Sequence, residues 1–355
     1  MIERTQCMFS KKSLGLLVAT ALCSTSVLAS TTLAVVGSWS SLPLNKQFEN
    51  PFWTQTLEKD SNNEFVAQMT THDQMGVGGG DVFRMLGDGV FDVGMTVADY
   101  AVSDAPALEA LDVPLIATTV DEAHKVVDAA RPMVEEVFKK TFNSKVLAIV
   151  PYPPQVIFCK TPVSSLADLK GKKIRASGRM TANFLEALGA QSVNIAFGEV
   201  PGALQRGVLD CAVTGAGSGY SAGWWEVASH LVTLPVGGWD PVVTAINMDK
   251  WNALSAKQQA FLQKEVTEKF EKPVWDDAKV SVKEDVACLT GNGKCSKGPT
   301  RNMTLVVPSD ADKKKARDIV ENKVLPDWAA RAGSKWTKEW NDSVGKLTHL
   351  TATKG

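Results

Sequence analysis

Short apolar runs alternate with longer stretches of helical periodicity along this chain, which is the pattern of an α/β fold. Residues 32–36 (TLAVV) read as a buried strand, residues 44–59 as a helix and residues 65–69 as a second strand. A turn at Gln74-Met75-Gly76, a helix opening over residues 81–86 and a third strand at 92–96 follow. Such a succession of strands and helices makes half of a doubly wound sheet. Residues 121–142 carry apolar positions near one helical face, and Pro132 inside them predicts a kink or a division into two helices. Strands at 145–150 and 155–160 flank Pro151-Tyr152-Pro153-Pro154, a break that suits a connection between lobes.

Residues 166–220 repeat the alternation, with an apolar-basic run at 173–175, two helical segments and a strand-like run at 208–214. Beyond them, residues 221–226 begin a helical segment and residues 231–236 are strand-like. Gly237-Gly238-Trp239-Asp240-Pro241 is a second break, and residues 242–247 read as a strand returning to the first lobe. Two proline-bearing crossings separated by one α/β unit predict a two-lobed clamp, its mixed sheets flanked by helices. A long interlobe helix is expected from about residue 255 toward 287, a late strand at 303–307 and a C-terminal helix at 310–330 despite Pro326. Trp328, Trp336 and Trp340 are expected to pack that tail against the body. The expected partition is residues 30–153 plus about 242–282 in one lobe, and 154–241 plus about 283–355 in the other.

Residues 1–29 have the composition of an export signal. Arg4, Lys11 and Lys12 precede an apolar core at 14–22, and Val27-Leu28-Ala29 offers a cleavage site before Ser30. The run is shorter than the roughly 18 apolar residues of a membrane span. Thr20-Ala21-Leu22 fits a lipid-attachment box at Cys23 poorly. A soluble, exported protein of 326 residues is therefore expected, with formal charge falling from −1 to −3 as three basic and one acidic residue leave. That balance excludes the dense basic field that nucleic acid requires. Of the four remaining cysteines, Cys288 and Cys295 bracket a short Gly- and Asn-bearing loop, and Cys159 and Cys211 lie on or beside strands. Export invites two disulfides; two buried free thiols are the alternative for Cys159 and Cys211. A metal site is not expected, because His72, His124, His230 and His349 are scattered.

Glycine-rich segments give no cofactor signal. Gly76–Gly80 departs from G-x-G-x-x-G at Asp81, and no P-loop lysine follows. Ala216 and Tyr220 stand where a nucleophile elbow around Ser218 needs glycines, which argues against catalysis there. Arg175 is different. It ends the apolar-basic run, just before the turn Ser177-Gly178, and ligands of open α/β sheets collect beyond strand carboxyl ends. A guanidinium there can grip a carboxylate through paired charge-assisted hydrogen bonds.

The same stretch resembles a known family. Asp168-Leu169-Lys170-Gly171, Lys173-Ile174-Arg175, Glu186-Ala187-Leu188-Gly189-Ala190, Ala196-Phe197-Gly198-Glu199-Val200 and the run from Ala203 to Asp210 occur in order. Together they resemble the signature of solute-binding proteins of TRAP (tripartite ATP-independent periplasmic) transporters, DctP type. The resemblance implies an α/β periplasmic-binding-protein clamp, a small organic carboxylate ligand, a TRAP membrane permease as partner and no cofactor or enzyme activity. It implies a salt bridge from Arg175 to the ligand carboxylate and packing of Phe197 on the ligand. Gln155 stands where sialic-acid-binding relatives carry a second arginine, and Thr214 where many members place asparagine. Neither adds positive charge, so a monocarboxylate is expected in place of a sugar acid or dicarboxylate. Trp39, Tyr152 and Trp239 add aromatic surface near strand exits, and Thr96 is a further polar candidate. The chain is expected to act as a monomer; the alternatives are an ABC-type receptor and a secreted enzyme acting on an organic acid.

Overall fold

The computed structural model describes residues 30–353. The export signal expected over residues 1–29 lies outside the described residues. Eleven strands form two mixed sheets among those residues. The first contains β1 (Thr31–Gly37), β2 (Phe65–Thr71), β3 (Val93–Val97), β4 (Ser144–Val150) and β10 (Val242–Asn247), ordered β2-β1-β3-β10-β4. The second contains β5 (Gln155–Cys159), β6 (Lys173–Arg175), β7 (Gln191–Val193), β8 (Cys211–Gly215), β9 (His230–Val232) and β11 (Thr304–Val306), ordered β11-β9-β5-β8-β6-β7.

β1, β2 and β3 are parallel, and β10 inserts antiparallel between β3 and β4. Apolar residues fill both faces of the inner strands, so β3 and β10 are buried along their whole length. This is why they read as continuous apolar runs without alternation. The chain leaves the first sheet through residues 151–154 and returns through residues 233–241. Both prolyl breaks therefore lie where the two sheets are joined. The strand-like reading of 231–236 extends too far, because only His230–Val232 pairs.

Helices flank the sheets. Val120–Thr141 is one helix, opened by a capping box between Thr119 and Glu122, and Pro132 does not divide it. A continuous helical run covers residues 256–290; Ser255 and Gln258 cap its start and Gly291, at φ 74°, ends it. The long helix is thus present. A short helix at Ala216–Ser221 departs from the expectation of one starting at residue 221. Its glycines conceal it, and packing explains them: a Cβ on Gly217 would collide with Asp285, and one on Gly219 with the Phe158 ring.

The C-terminal tail, expected with the second lobe, touches elements of both. Val320–Val324 packs on the helix Arg179–Ala187 behind the second sheet, while Leu325–Trp340 packs on Pro106–Leu111 beside the first. Trp328 and Trp340 are fully buried there, their indole N–H groups donating to the carbonyls of Pro106 (2.9 Å) and Ala110 (3.2 Å). Among the described residues no helix is long and apolar enough to cross a membrane.

Both expected disulfides are formed, Cys159–Cys211 and Cys288–Cys295. Cys159 and Cys211 are register partners on β5 and β8, so the bond ties the two central strands of the second sheet. Cys288–Cys295 closes a loop with a sequence separation of 7. Replacing both of its cysteines by serine should lower stability by about 2 kcal/mol, since short loops recover less unfolded-chain entropy. Urea melts of the oxidised double variant check this, and an unchanged midpoint would refute it.

Candidate functional site

Residues past the carboxyl ends of β1 and β3 touch residues at or past the carboxyl ends of β6 and β7, so the groups gathered there come from both sheets. Arg175 ends β6 and is only 3% exposed. Its Nε donates to the Ile195 carbonyl (3.2 Å), one terminal nitrogen to the Val213 carbonyl (2.7 Å) and the other to the Tyr100 hydroxyl (3.3 Å). Tyr100 lies in the turn Ala98–Ala101 after β3, so this last contact crosses from the second sheet to the first. A guanidinium has five N–H donors. Three are engaged with neutral groups and two are left.

Aromatic rings gather at the exits of the neighbouring strands. Trp39, past β1, packs its ring 4.6 Å from His72 (past β2), 5.6 Å from Tyr100, 6.1 Å from Tyr152 (past β4) and 6.2 Å from Phe197 (past β7). Edge-on geometry with His72 and Tyr100 is the arrangement ring quadrupoles favour. The Tyr152 hydroxyl donates to Ser38 at 3.1 Å. His72 Nδ1 bonds the Val77 carbonyl at 3.0 Å, so that nitrogen carries the proton, while Nε2 has no partner. Burial lowers the His72 pKa, which keeps the imidazole neutral.

The polar candidates are buried as well. Thr96 is fully buried on β3 with its hydroxyl unpartnered. Gln155 opens β5 at 1% exposure; its Nε2 donates to the Pro153 carbonyl at 3.3 Å and its Oε1 has no partner. Thr214 lies buried on β8, opposite Val156. Trp239 is turned elsewhere: its indole N–H donates to the Ala117 carbonyl at 3.1 Å and its ring packs in the core.

Three carboxyls absent from the sequence expectation gather here, and Arg175 acts on two of them, Asp99 and Asp240. Asp99, in the turn after β3, Asp112 and Asp240 bring oxygens within 4.8 Å of one another, all buried. The Asp240 backbone N–H donates to Asp112 Oδ1 at 2.8 Å. Burial raises the Asp99 pKa well above the carboxylate range, Asp240, Asp112 and Glu109 add to it, and Arg175 opposes it. Burial, then Asp240, likewise raise Asp112. Asp240 is pushed up to about 7 by burial, against the pull of Arg175. Burial also lifts the Tyr100 hydroxyl to about 12, so it stays a donor.

Asp99 reaches across to the second sheet's side. A Cβ on Gly178, in the turn after Arg175, would collide with Asp99 Oδ2. Gly178→Ala should therefore force the two sides apart and cost about 1–3 kcal/mol of closed-state stability, the scale of overpacking. Calorimetry should show ligand affinity falling at least tenfold with the circular dichroism spectrum unchanged. Wild-type affinity would mean that this contact plays no part in closure.

Over residues 41–322 the sequence matches the family described as bacterial extracellular solute-binding protein, family 7 (DctP). It is 28% identical over 179 residues to the 2,3-diketo-L-gulonate-binding periplasmic protein YiaO of Escherichia coli, covering 49% of this chain and 53% of that protein. It is 24% identical over 209 residues to the ectoine-binding periplasmic protein TeaA of Halomonas elongata, 58% of this chain and 60% of that one. The chain thus spans little more than half the length of these two curated relatives. The fold superposes on DctP7, a Bordetella pertussis extracytoplasmic solute receptor binding pyroglutamic acid, with TM-score 0.78 and 20% identity over 90% of this chain and 100% of that one. A Desulfovibrio salexigens TRAP periplasmic solute-binding protein with bound orotic acid gives TM-score 0.74 and 17% identity over 90% and 98%. Likeness at such identities establishes the fold.

Proposed function

The chain belongs to the bacterial extracellular solute-binding proteins of family 7, and on that premise we propose that it captures a small organic acid and delivers it to a TRAP-type permease. The observation that carries this reading is Arg175: a buried guanidinium at the junction of the two sheets, engaged only with neutral groups and retaining two free N–H donors. Burial raises the pKa of both carboxyls that Arg175 acts on, Asp99 and Asp240, so protonation weakens them as counter-ions, and a ligand carboxylate would supply a full one. A single cationic group suits a single carboxylate, since Gln155 and Thr214 supply none.

Around that anchor, Trp39, Tyr152 and Phe197 supply ring faces for an apolar or aromatic body, and Thr96, Gln155 and Thr214 supply orientation. Trp239 acts at one remove, fixing the crossing at 237–241 through Ala117. The two sheets close on the ligand because contacts to both sides exist only when they meet. The prolyl crossings at 151–154 and 233–241 are where that motion takes place. The family's members are periplasmic receptors, and this chain acts in the same compartment, its closed form recognised by the permease. The family match disfavours an ABC-type receptor, and the curated relatives are binding proteins, which disfavours an enzyme.

A thermal-shift screen of aliphatic, keto, hydroxy and aromatic carboxylates tests the reading. A ligand at a hundred times its Kd should add about 2.7 kcal/mol of apparent stability. Stabilisation by uncharged solutes alone, with every carboxylate inert, would overturn it.

A further inference from the structure

Apart from the two free N–H groups of Arg175, the unused hydrogen-bonding atoms at this site are nearly all potential acceptors. Asp99 Oδ1, Asp112 Oδ2, Asp240 Oδ1, Gln155 Oε1 and His72 Nε2 are buried without partners, and the Thr96 hydroxyl, which can also donate, is too. Gln155 borders the acidic group. Its backbone N–H donates to the Gly238 carbonyl, and its side chain packs on Gly237, in the loop that carries Asp240. Thr96 Oγ1 lies with the Tyr100 ring against Gly79, and Tyr100 in turn touches Arg175. Buried acceptors are rarely left unsatisfied in a working state. A plain monocarboxylate would satisfy the two free N–H groups of Arg175 and leave these acceptors as they are.

Charge points the same way. Glu109 is already paired with Arg331. That leaves Asp99 and Asp240 within the field of one guanidinium, with Asp112 beside them and Tyr100 also in contact with Arg175. A ligand adding only negative charge would favour the protonated forms that burial already favours, whereas a cation would draw those protons off and pair with the carboxylates. We propose that the ligand is an amino-acid-like zwitterion, its carboxylate on Arg175 and its protonated nitrogen on Asp99 and Asp240. This rests on the proposed reading of Arg175 and narrows its ligand class. A divalent cation is the weaker occupant of the same oxygens, because Arg175 lies close enough to bias Asp99 and Asp240 electrostatically and would repel it.

The test uses matched pairs that differ by the amino group: L-proline with cyclopentanecarboxylate, L-alanine with propionate, and L-phenylalanine with 3-phenylpropanoate. Titration calorimetry at pH 7.5 on the full chain should show an amino member binding at least tenfold tighter than its partner. A cation entering beside carboxyls that are partly protonated displaces their protons, so binding should release protons, read from titrations in two buffers of different ionisation heat. Asp99→Asn and Asp240→Asn, each checked by circular dichroism, should erase the tenfold preference. The proton count on the unsubstituted chain keeps the test decisive if either variant fails to fold.

Equal or tighter binding of the plain acids, with proton uptake, overturns the zwitterion and leaves the organic-acid reading standing. Inert members throughout, in a chain that carboxylates also fail to stabilise in the thermal screen, overturn both. Binding of calcium chloride alone assigns the oxygens to a divalent cation and also overturns the proposal.

Discussion

Arg175→Ala is expected to weaken ligand binding by about 2–4 kcal/mol, a loss of roughly thirty- to a thousandfold. The magnitude follows from desolvation. Arg175 is 3% exposed, so a carboxylate bound to it is shielded from water, and removing the cation leaves that anion buried without a partner. The substitution also leaves the carbonyls of Ile195 and Val213 without this donor, which should lower stability by about 1–3 kcal/mol. Arg175→Lys separates the two effects: a lysine keeps the charge but lacks the fork that holds both carbonyls and a ligand at once. Its affinity should fall between those of the other two proteins. Titration calorimetry reads the affinities and thermal melts the stabilities; an alanine variant that binds any carboxylate at wild-type strength would remove Arg175 from the site.

The place of Arg175 at a strand exit was legible in the sequence because its setting is local: a short apolar run ending in a Ser-Gly turn fixes that exit within a few residues. The strands of the first sheet were legible for the same reason. The acidic group was not. Asp99 and Asp112 lie in tight helical turns and at their ends, without a usable period, and Asp240 stands in a break between strands. What gathers them is the return of the chain through 233–241, which sets Asp240 against Asp112 across 128 residues. One local signal did exist, since Asp99 follows β3 by two residues and Asp240 precedes β10 by two, each at the end that faces the other sheet. Trp239 shows the converse. Its place beside a crossing suggested a ligand contact, but a fully paired indole N–H and a core-packed ring make it a brace for that crossing. The helix Ala216–Ser221 was hidden because its glycines answer to Asp285 and Phe158, partners remote in sequence.

The second large effect expected is on stability against pH. Asp240 is raised from the ordinary carboxylate value to about 7. An acid whose folded pKa lies above its unfolded value binds protons more tightly when folded. Its contribution is fully present below the unfolded pKa of about 4 and is lost as pH rises to about 7, with a ceiling of about 4 kcal/mol. Asp240→Asn removes that loss, and the ligand-free variant should be more stable than wild type at pH 8 by up to that ceiling. Near pH 4 the gain should vanish. Asparagine also tolerates the left-handed backbone of this position, φ 44°, so the substitution adds no strain. Urea melts at pH 4.5, 6.5 and 8 check this. Asp99 and Asp112 will keep some slope in the variant, since burial raises both. Identical pH profiles for the two proteins would mean that Asp240 is not a buried acid. If stability rises while ligand affinity falls, the buried carboxylates destabilise the empty receptor for the sake of the filled one, as a site built to be completed by its ligand requires.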